Sequence, residues 1–242
     1  MNYTASIFDF FKSPKWPMNM LCGGVCVLIP VVGQIAVMGW LVLCFWGRQN
    51  QEFENFPAFD FNQFGTYLER GIWPFLVVLV GTLAMMPVIF VVMIPMVLLA
   101  GMTGGPNDDT GGWVSVLVCL GIFLFYLLFI TTMMLVMTPL KVRASIVQEF
   151  GKSFSFSFVK QFIALTWMES MLVWLFMFVA SIGFMLVGLM AFCIGLYFVT
   201  VPLYFAWAHL SKQLYALYLR RGGEPVAFSP KFGQGPPPLP VG

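Results

Sequence analysis

Four long apolar stretches, 18–46, 72–100, 113–139 and 162–209, limit what this chain can fold into. A hydrocarbon core about 30 Å thick is crossed by roughly 20 helical residues at 1.5 Å rise each. The second and third stretches are one crossing each, with length to spare for tilting or bending at Pro87 and Pro95. The fourth is about twice the needed length, which predicts a helical hairpin. The small residues from Ser181, Ile182 and Gly183 to Gly188 place its turn.

Composition agrees. Charged residues are 9% of the chain and apolar and aromatic residues 60%, against about 25% charged in an average globular domain. That is too little charge to cover a water-facing surface, which is about 25–35% charged. The lipid bilayer is therefore the expected surroundings. A net charge of +2, with no basic cluster interleaved with stacking aromatics, gives no reason to expect nucleic acid.

The first stretch admits two readings. It is either one tilted span bent at Pro30 and Gly33, or two short helices joined by a turn through Leu28, Ile29, Pro30, Val31, Val32, Gly33 and Gln34. The hairpin reading demands that other helices cover the turn, because non-helical backbone at membrane depth needs protein around it. Charge discriminates, since Lys and Arg mark cytoplasmic loops. With single crossings at 72–100 and 113–139 and a double one at 162–209, Arg48, Arg70, Lys141, Arg143, Lys152, Lys160, Lys212, Arg220, Arg221 and Lys231 share one side. The opposite loop, 101–112, carries no Lys or Arg. Lys12 and Lys15 join the basic side only if the first stretch is a hairpin, so the rule favours the hairpin and a cytoplasmic C-terminus.

Aromatic segments precede three of the stretches. Phe8, Asp9 and Phe10 lead to Trp16 and Pro17; Phe59, Asp60 and Phe61 lead to Trp73 and Pro74; Phe154, Phe156 and Phe158 lead to Trp167. Phe61, Phe64, Leu68 and Ile72 share a helical face, as do Phe154, Phe158, Phe162 and Leu165, and Ile7, Phe10 and Phe11 form a shorter version. These read as interfacial amphipathic helices. Either the unit "interfacial helix, then membrane hairpin" is used three times, or the aromatics are the belt found at most membrane entries.

A set of residues spread over the first third carries a family likeness: Phe10, Lys15, Trp16, Gly23, Gly24, the run 28–33, Gly39, Trp40, Leu41, Arg48, Pro57, Phe59, and the lead-in from Phe64 and Gly65 to Gly71. With these the chain resembles the prokaryotic membrane family catalogued as domain of unknown function 4013. The resemblance implies a polytopic protein of the cytoplasmic (inner) membrane and brings no activity or catalytic residues with it.

Chemistry-bearing residues are sparse. The one histidine, His209, sits where the last stretch meets the cytoplasm and reads as an interfacial polar residue; a second His is lacking for a triad or a His-based metal cluster. Cys22, Cys26, Cys44, Cys119 and Cys193 all lie in apolar stretches and read as small hydrophobes. Met18, Cys22 and Cys26 share a face and would suit Cu(I), but stripes of this kind are expected by chance in a chain with 17 Met. No metal or cofactor is expected. Glu169 lies about two turns into the fourth stretch and Gln34 at the break in the first; with Thr131 and Thr132 they could line a small polar site of the kind transporters use. The plainer reading sends Glu169 to the surface and the hydroxyls to their own helices. Asn107, Asp108 and Asp109 offer too few oxygens for calcium. Gly23, Gly24, Gly183, Gly188, Ala191 and Gly195 read as close helix packing.

The expected protein is all-α and polytopic, with four spans, an N-terminal membrane hairpin and interfacial helices. It divides into an N-terminal interfacial segment (1–17), a membrane helical domain (18–223) and a Pro-rich cytoplasmic tail (224–242) that is disordered or polyproline II. The stripe Ala206, Leu210, Leu214 and Leu217 carries the last helix past the membrane until Gly222 and Gly223 stop it. The first stretch exceeds the 7–15 residues of a signal-peptide core and lacks an Ala-x-Ala site, so no cleavable signal is expected. The expected role is non-enzymatic, a structural or accessory subunit whose partners are other membrane protein subunits. A small transporter or channel using Gln34 and Glu169 is the alternative.

Overall fold

The computed structural model describes residues 1–47, 56–103, 109–191 and 194–232, and among them every regular element is helical. The helices are α1 (Tyr3–Lys12), α2 (Trp16–Val27), α3 (Val32–Phe45), α4 (Phe64–Thr103), α5 (Asp109–Val147), α6 (Phe150–Ser153), α7 (Phe156–Met190) and α8 (Gly195–Arg220). Three helical segments, Phe61–Leu98, Val116–Val147 and Phe150–Met190, are long and apolar enough to cross a membrane.

The first stretch is two helices. Between them Val31 takes φ +66° and ψ −65°, and the Val32 N–H donates to the Pro30 carbonyl at 2.7 Å. That is a γ-turn of the rare positive-φ kind, strained for a β-branched residue. The expectation that other helices would cover this turn is not met: Leu28, Ile29, Val31 and Val32 are all exposed. The turn instead satisfies much of its own backbone, with Leu28 N–H to Gly24, Ile29 N–H to Cys26 and Gly33 N–H to Ile29.

The expected interfacial lead-ins at 61–72 and 154–165 are not separate helices. Each is continuous with the long helix that follows, apart from a three-residue 3₁₀ turn, Phe61–Gln63, before α4. Pro74 would break α4, because it leaves the Arg70 carbonyl without its helical N–H. Gln148, at the end of α5, repairs the gap: its Nε2 donates to Arg70 O at 3.2 Å. The hairpin turn predicted at 181–188 is also misplaced, since α7 runs unbroken to Met190 and α8 starts at Gly195. In apolar surroundings each backbone group is best satisfied inside a helix, and the small residues here serve packing. A Cβ on Gly188 would meet Leu196 at 2.9 Å, whereas one on Gly183 would meet nothing within 4 Å.

The core sits at one end of the molecule. Phe10, Trp40, Phe45, Phe56, Phe59 and Phe205 form its aromatic centre, with Phe56 and Phe205 centroids 4.7 Å apart. α8 is the hub, packing on α1, α2, α3, α5 and α7. Gly23 and Gly24 admit Val201 and Phe198 of α8. The α3–α4 contact is closer still: a Cβ on Gly39 would lie 1.7 Å from Tyr67 O, and one on Gly71 1.8 Å from Ile35 O. The two backbones touch, which only glycine permits.

α8 ends in a Schellman motif at Gly222 (φ +84°), with Gly222 N–H to Leu219 O and Gly223 N–H to Tyr218 O. The tail that follows is expected to be disordered or polyproline II, yet residues 226–232 lie against the body. Val226 N–H donates to Tyr215 Oη at 2.9 Å, and Ser229 N–H donates to Ile146 O at 3.1 Å. The Arg70 guanidinium lies 5.1 Å from the Phe232 ring. The aromatic and apolar residues Val226, Phe228 and Phe232 supply the packing. The Pro-rich run from 236 lies outside the described residues.

Candidate functional site

Gln34 and Glu169 are not brought together. Gln34 is in the first turn of α3, which packs on α2, α4 and α8; Glu169 is on α7, which packs on α5 and α8. Arg221, just past the end of α8, grips Glu169 with both ends of its guanidinium, Nη1 to Oε2 at 2.9 Å and Nη2 to Oε1. Its Nη1 also reaches the Leu165 carbonyl. Glu169 is thus engaged in tying α7 to the end of α8. Thr132 donates to the Leu128 carbonyl of its own helix at 2.9 Å, and no hydrogen bond joins Thr131 to either residue.

His209 is enclosed by protein. It is 2% exposed, wedged between Phe45 and Phe205 rings, with Nε2 3.4 Å from Asp9 Oδ2. Gln213 Nε2 lies 2.9 Å from His209 Nδ1 and also donates to Asn2 O at 3.1 Å. The Asn2 N–H returns a bond to Gln213 Oε1 at 2.7 Å, and Lys12 pairs with Asp9 at 2.9 Å. This network fastens α1 onto α8. Its sequence sign is only that Asp9 stands between two Phe, one of which, Phe10, is fully buried. The second Phe-Asp-Phe copy works differently, Asp60 Oδ1 accepting from Asn62 N–H at 2.9 Å in a local cap.

The cysteines do not converge with Met18, which is 57% exposed while Cys22 and Cys26 are buried. Among the described residues no three His, Cys, Asp or Glu are grouped to hold a metal ion. Asn107 and Asp108, and Cys193, lie outside the described residues.

One feature that the sequence did not single out is a partly open pocket between α3, α4, α5 and α8. Met38, Leu41, Trp46 and Pro74 give it apolar walls, and Lys141, Ser145, Tyr204 and Ser211 contribute polar groups. The two serine hydroxyls donate to their own helices, Ser145 Oγ to Lys141 O at 2.9 Å and Ser211 Oγ to Trp207 O at 2.7 Å. The Lys141 ammonium and the Tyr204 hydroxyl are left, among the described residues, with no acceptor. Beside the cavity, burial pushes the Tyr215 phenol above its ordinary pKa, so it stays protonated under the tail.

Residues 22–194 match the family model described as protein of unknown function, DUF4013. The chain belongs to this family. The matched segment runs from within α2 to the residue before α8, and so includes the α3–α4 glycine contact and Lys141 while leaving α1 and all of α8 outside. No curated protein and no solved structure matches the chain.

Proposed function

We propose that this DUF4013 member is a non-enzymatic, multi-pass subunit of a larger assembly in the cytoplasmic membrane. The observation that carries the reading is an unpacked arm. Between Val77 and Pro139 none of the described residues is buried, so α4 and α5 run on beyond the core with chiefly each other for company. Residues 78–98 alone make about 30 Å of helix, the thickness of a bilayer core. Their flanks are apolar, with Phe90, Val91 and Leu98 more than half exposed. So large an uncovered apolar surface calls for lipid or other helices, and a two-helix arm with no bundle around it invites other helices.

The topology follows the same observation. Four crossings, by α4, α5, α7 and the apolar part of α8, put the core on the cytoplasmic side. The α2–α3 pair dips into the membrane without crossing: at 12 and 14 residues each helix is only about 20 Å long. Support comes from the charged contacts that tie the start of α4 to the tail: Glu69–Lys231, and Arg70 to the Lys231 carbonyl.

Tryptophan replacement on the arm separates lipid from partner. Val91→Trp on a lipid-facing flank is tolerated, whereas on a flank covered by another helix it breaks the contact. Native mass spectrometry from mild detergent is expected to find the chain with stoichiometric companion subunits, weakened by Val91→Trp. A partner-free monomer before any substitution would refute the proposal.

A further inference from the structure

We propose that the cavity between α3, α4, α5 and α8 binds one anionic amphiphile, its charged group on Lys141 Nζ and Tyr204 Oη and its apolar part against Met38, Leu41 and Pro74. The argument begins with what the other cations do. Among the described residues, Lys12, Arg70, Arg143, Lys152, Arg221 and Lys231 each engage a carboxylate, a carbonyl or both. Lys15, Lys160 and Arg220 have no such partner but are exposed, so water serves them. Lys141 is neither paired nor fully exposed; it lines the cavity. A cation withdrawn from bulk water without a counter-charge is costly, and an anion in the cavity would remove that cost.

The walls select the kind of anion. A bare phosphate needs polar groups all around it, and here the one cation, Lys141, sits beside serine oxygens whose hydrogens point at their own helices. Several of the remaining lining residues are apolar. One charge contact with an apolar remainder suits a lipid of the inner leaflet, and cytoplasmic-side basic pockets between membrane helices bind headgroups. Lys141 follows Pro139, the point at which α5 passes from the unpacked arm into the buried core, which is headgroup depth in the topology above. The inference rests on that topology and not on the assembly, so the two fail separately: companion subunits are read by native mass, the amphiphile by its own adduct.

The test uses the delipidated full chain in non-ionic detergent, with native mass spectrometry of adducts. Dioctanoyl-phosphatidylglycerol, dioctanoyl-phosphatidylcholine and inorganic phosphate are the probes. One phosphatidylglycerol is expected to be retained about tenfold more tightly than phosphatidylcholine, and Lys141→Gln to lose about tenfold, the worth of a hydrogen bond to a charged group. Tyr204→Phe should weaken binding by a smaller factor, and Ser211→Leu, which fills the cavity, should block it. Lys152→Gln, an exposed lysine paired with Glu149, should change nothing. Equal retention of the two lipids, or unchanged binding in Lys141→Gln, overturns the proposal. Displacement of the lipid by equimolar inorganic phosphate also overturns it, because the site would then take a free anion. Should Lys141→Gln fail to fold, Tyr204→Phe and Ser211→Leu decide, and undiminished binding in both overturns the proposal.

Discussion

Replacing Gly71 by alanine adds one methyl group where α3 and α4 touch. That Cβ would sit 1.8 Å from the Ile35 carbonyl oxygen and 2.6 Å from the Gly39 nitrogen. Both are backbone atoms, so no rotamer change relieves the clash. Ordinary contact starts near 3.4 Å, which means the helices must part by about 1.6 Å. A gap of 0.5–1 Å already forfeits a quarter to a half of each dispersion contact, and here the seam backs onto Trp40 and Tyr67, both essentially fully buried. Overpacking usually costs about 1–3 kcal/mol; with rigid atoms on both sides Gly71→Ala should reach about 3 kcal/mol. The assay is unfolding in mixed micelles followed by tryptophan fluorescence. Gly183→Ala is the internal comparison, because nothing lies within 4 Å of that position and it should gain about 0.5–1 kcal/mol from lost chain entropy. Gly39→Ala works on the same seam, so the double variant should cost clearly less than the two singles together. A Gly71→Ala loss below about 1 kcal/mol, or full additivity with Gly39→Ala, would refute the backbone contact.

Gln148→Leu removes the donor that repairs Pro74, leaving the Arg70 carbonyl bare at a buried site; about 1–3 kcal/mol should be lost, and the loss should shrink when Pro74→Ala restores the helical N–H. His209→Leu leaves the Asp9 carboxylate with Lys12 but without its partner on α8, and cuts the link to Gln213. Limited proteolysis should then cut residues 1–15 several-fold faster while the rest of the chain stays protected. Val31→Gly relieves a positive-φ β-branched residue and should stabilise by about 1 kcal/mol.

Hydropathy made the long helices legible, because lipid permits few other solutions for runs of that length. The break near Pro30 and Gly33 was equally readable, since proline and glycine act on the chain locally. What failed were inferences that need a neighbour. Gly183 and Gly188 look alike in sequence, yet only Gly188 faces another helix, and neither is a turn. His209 reads as interfacial because its position along α8 is visible, while the Phe45 and Phe205 rings enclosing it are distant in sequence or hidden by the helix. The tail reads as disordered from its prolines, yet its first residues hold Val226 and Phe232, which the body buries or stacks upon. In sequence Lys141 reads as one more loop charge; only the packing of four helices turns it into a cation in a cavity.

The glycine seam and the Lys141 cavity are linked through α4. Gly71 brings α3 against α4, and Pro74, one turn further along, forms part of the cavity wall. Opposite Pro74 the wall comes from Met38 and Leu41, which flank Gly39 on α3. A methyl group that drives α3 from α4 therefore widens the cavity as it destabilises the core. On this geometry Gly71→Ala should weaken amphiphile binding without touching a polar group, whereas Lys141→Gln should weaken it with little change in the α3–α4 contact. Measured together, stability and adduct retention separate a cavity held open by helix packing from one that merely happens to contain a lysine.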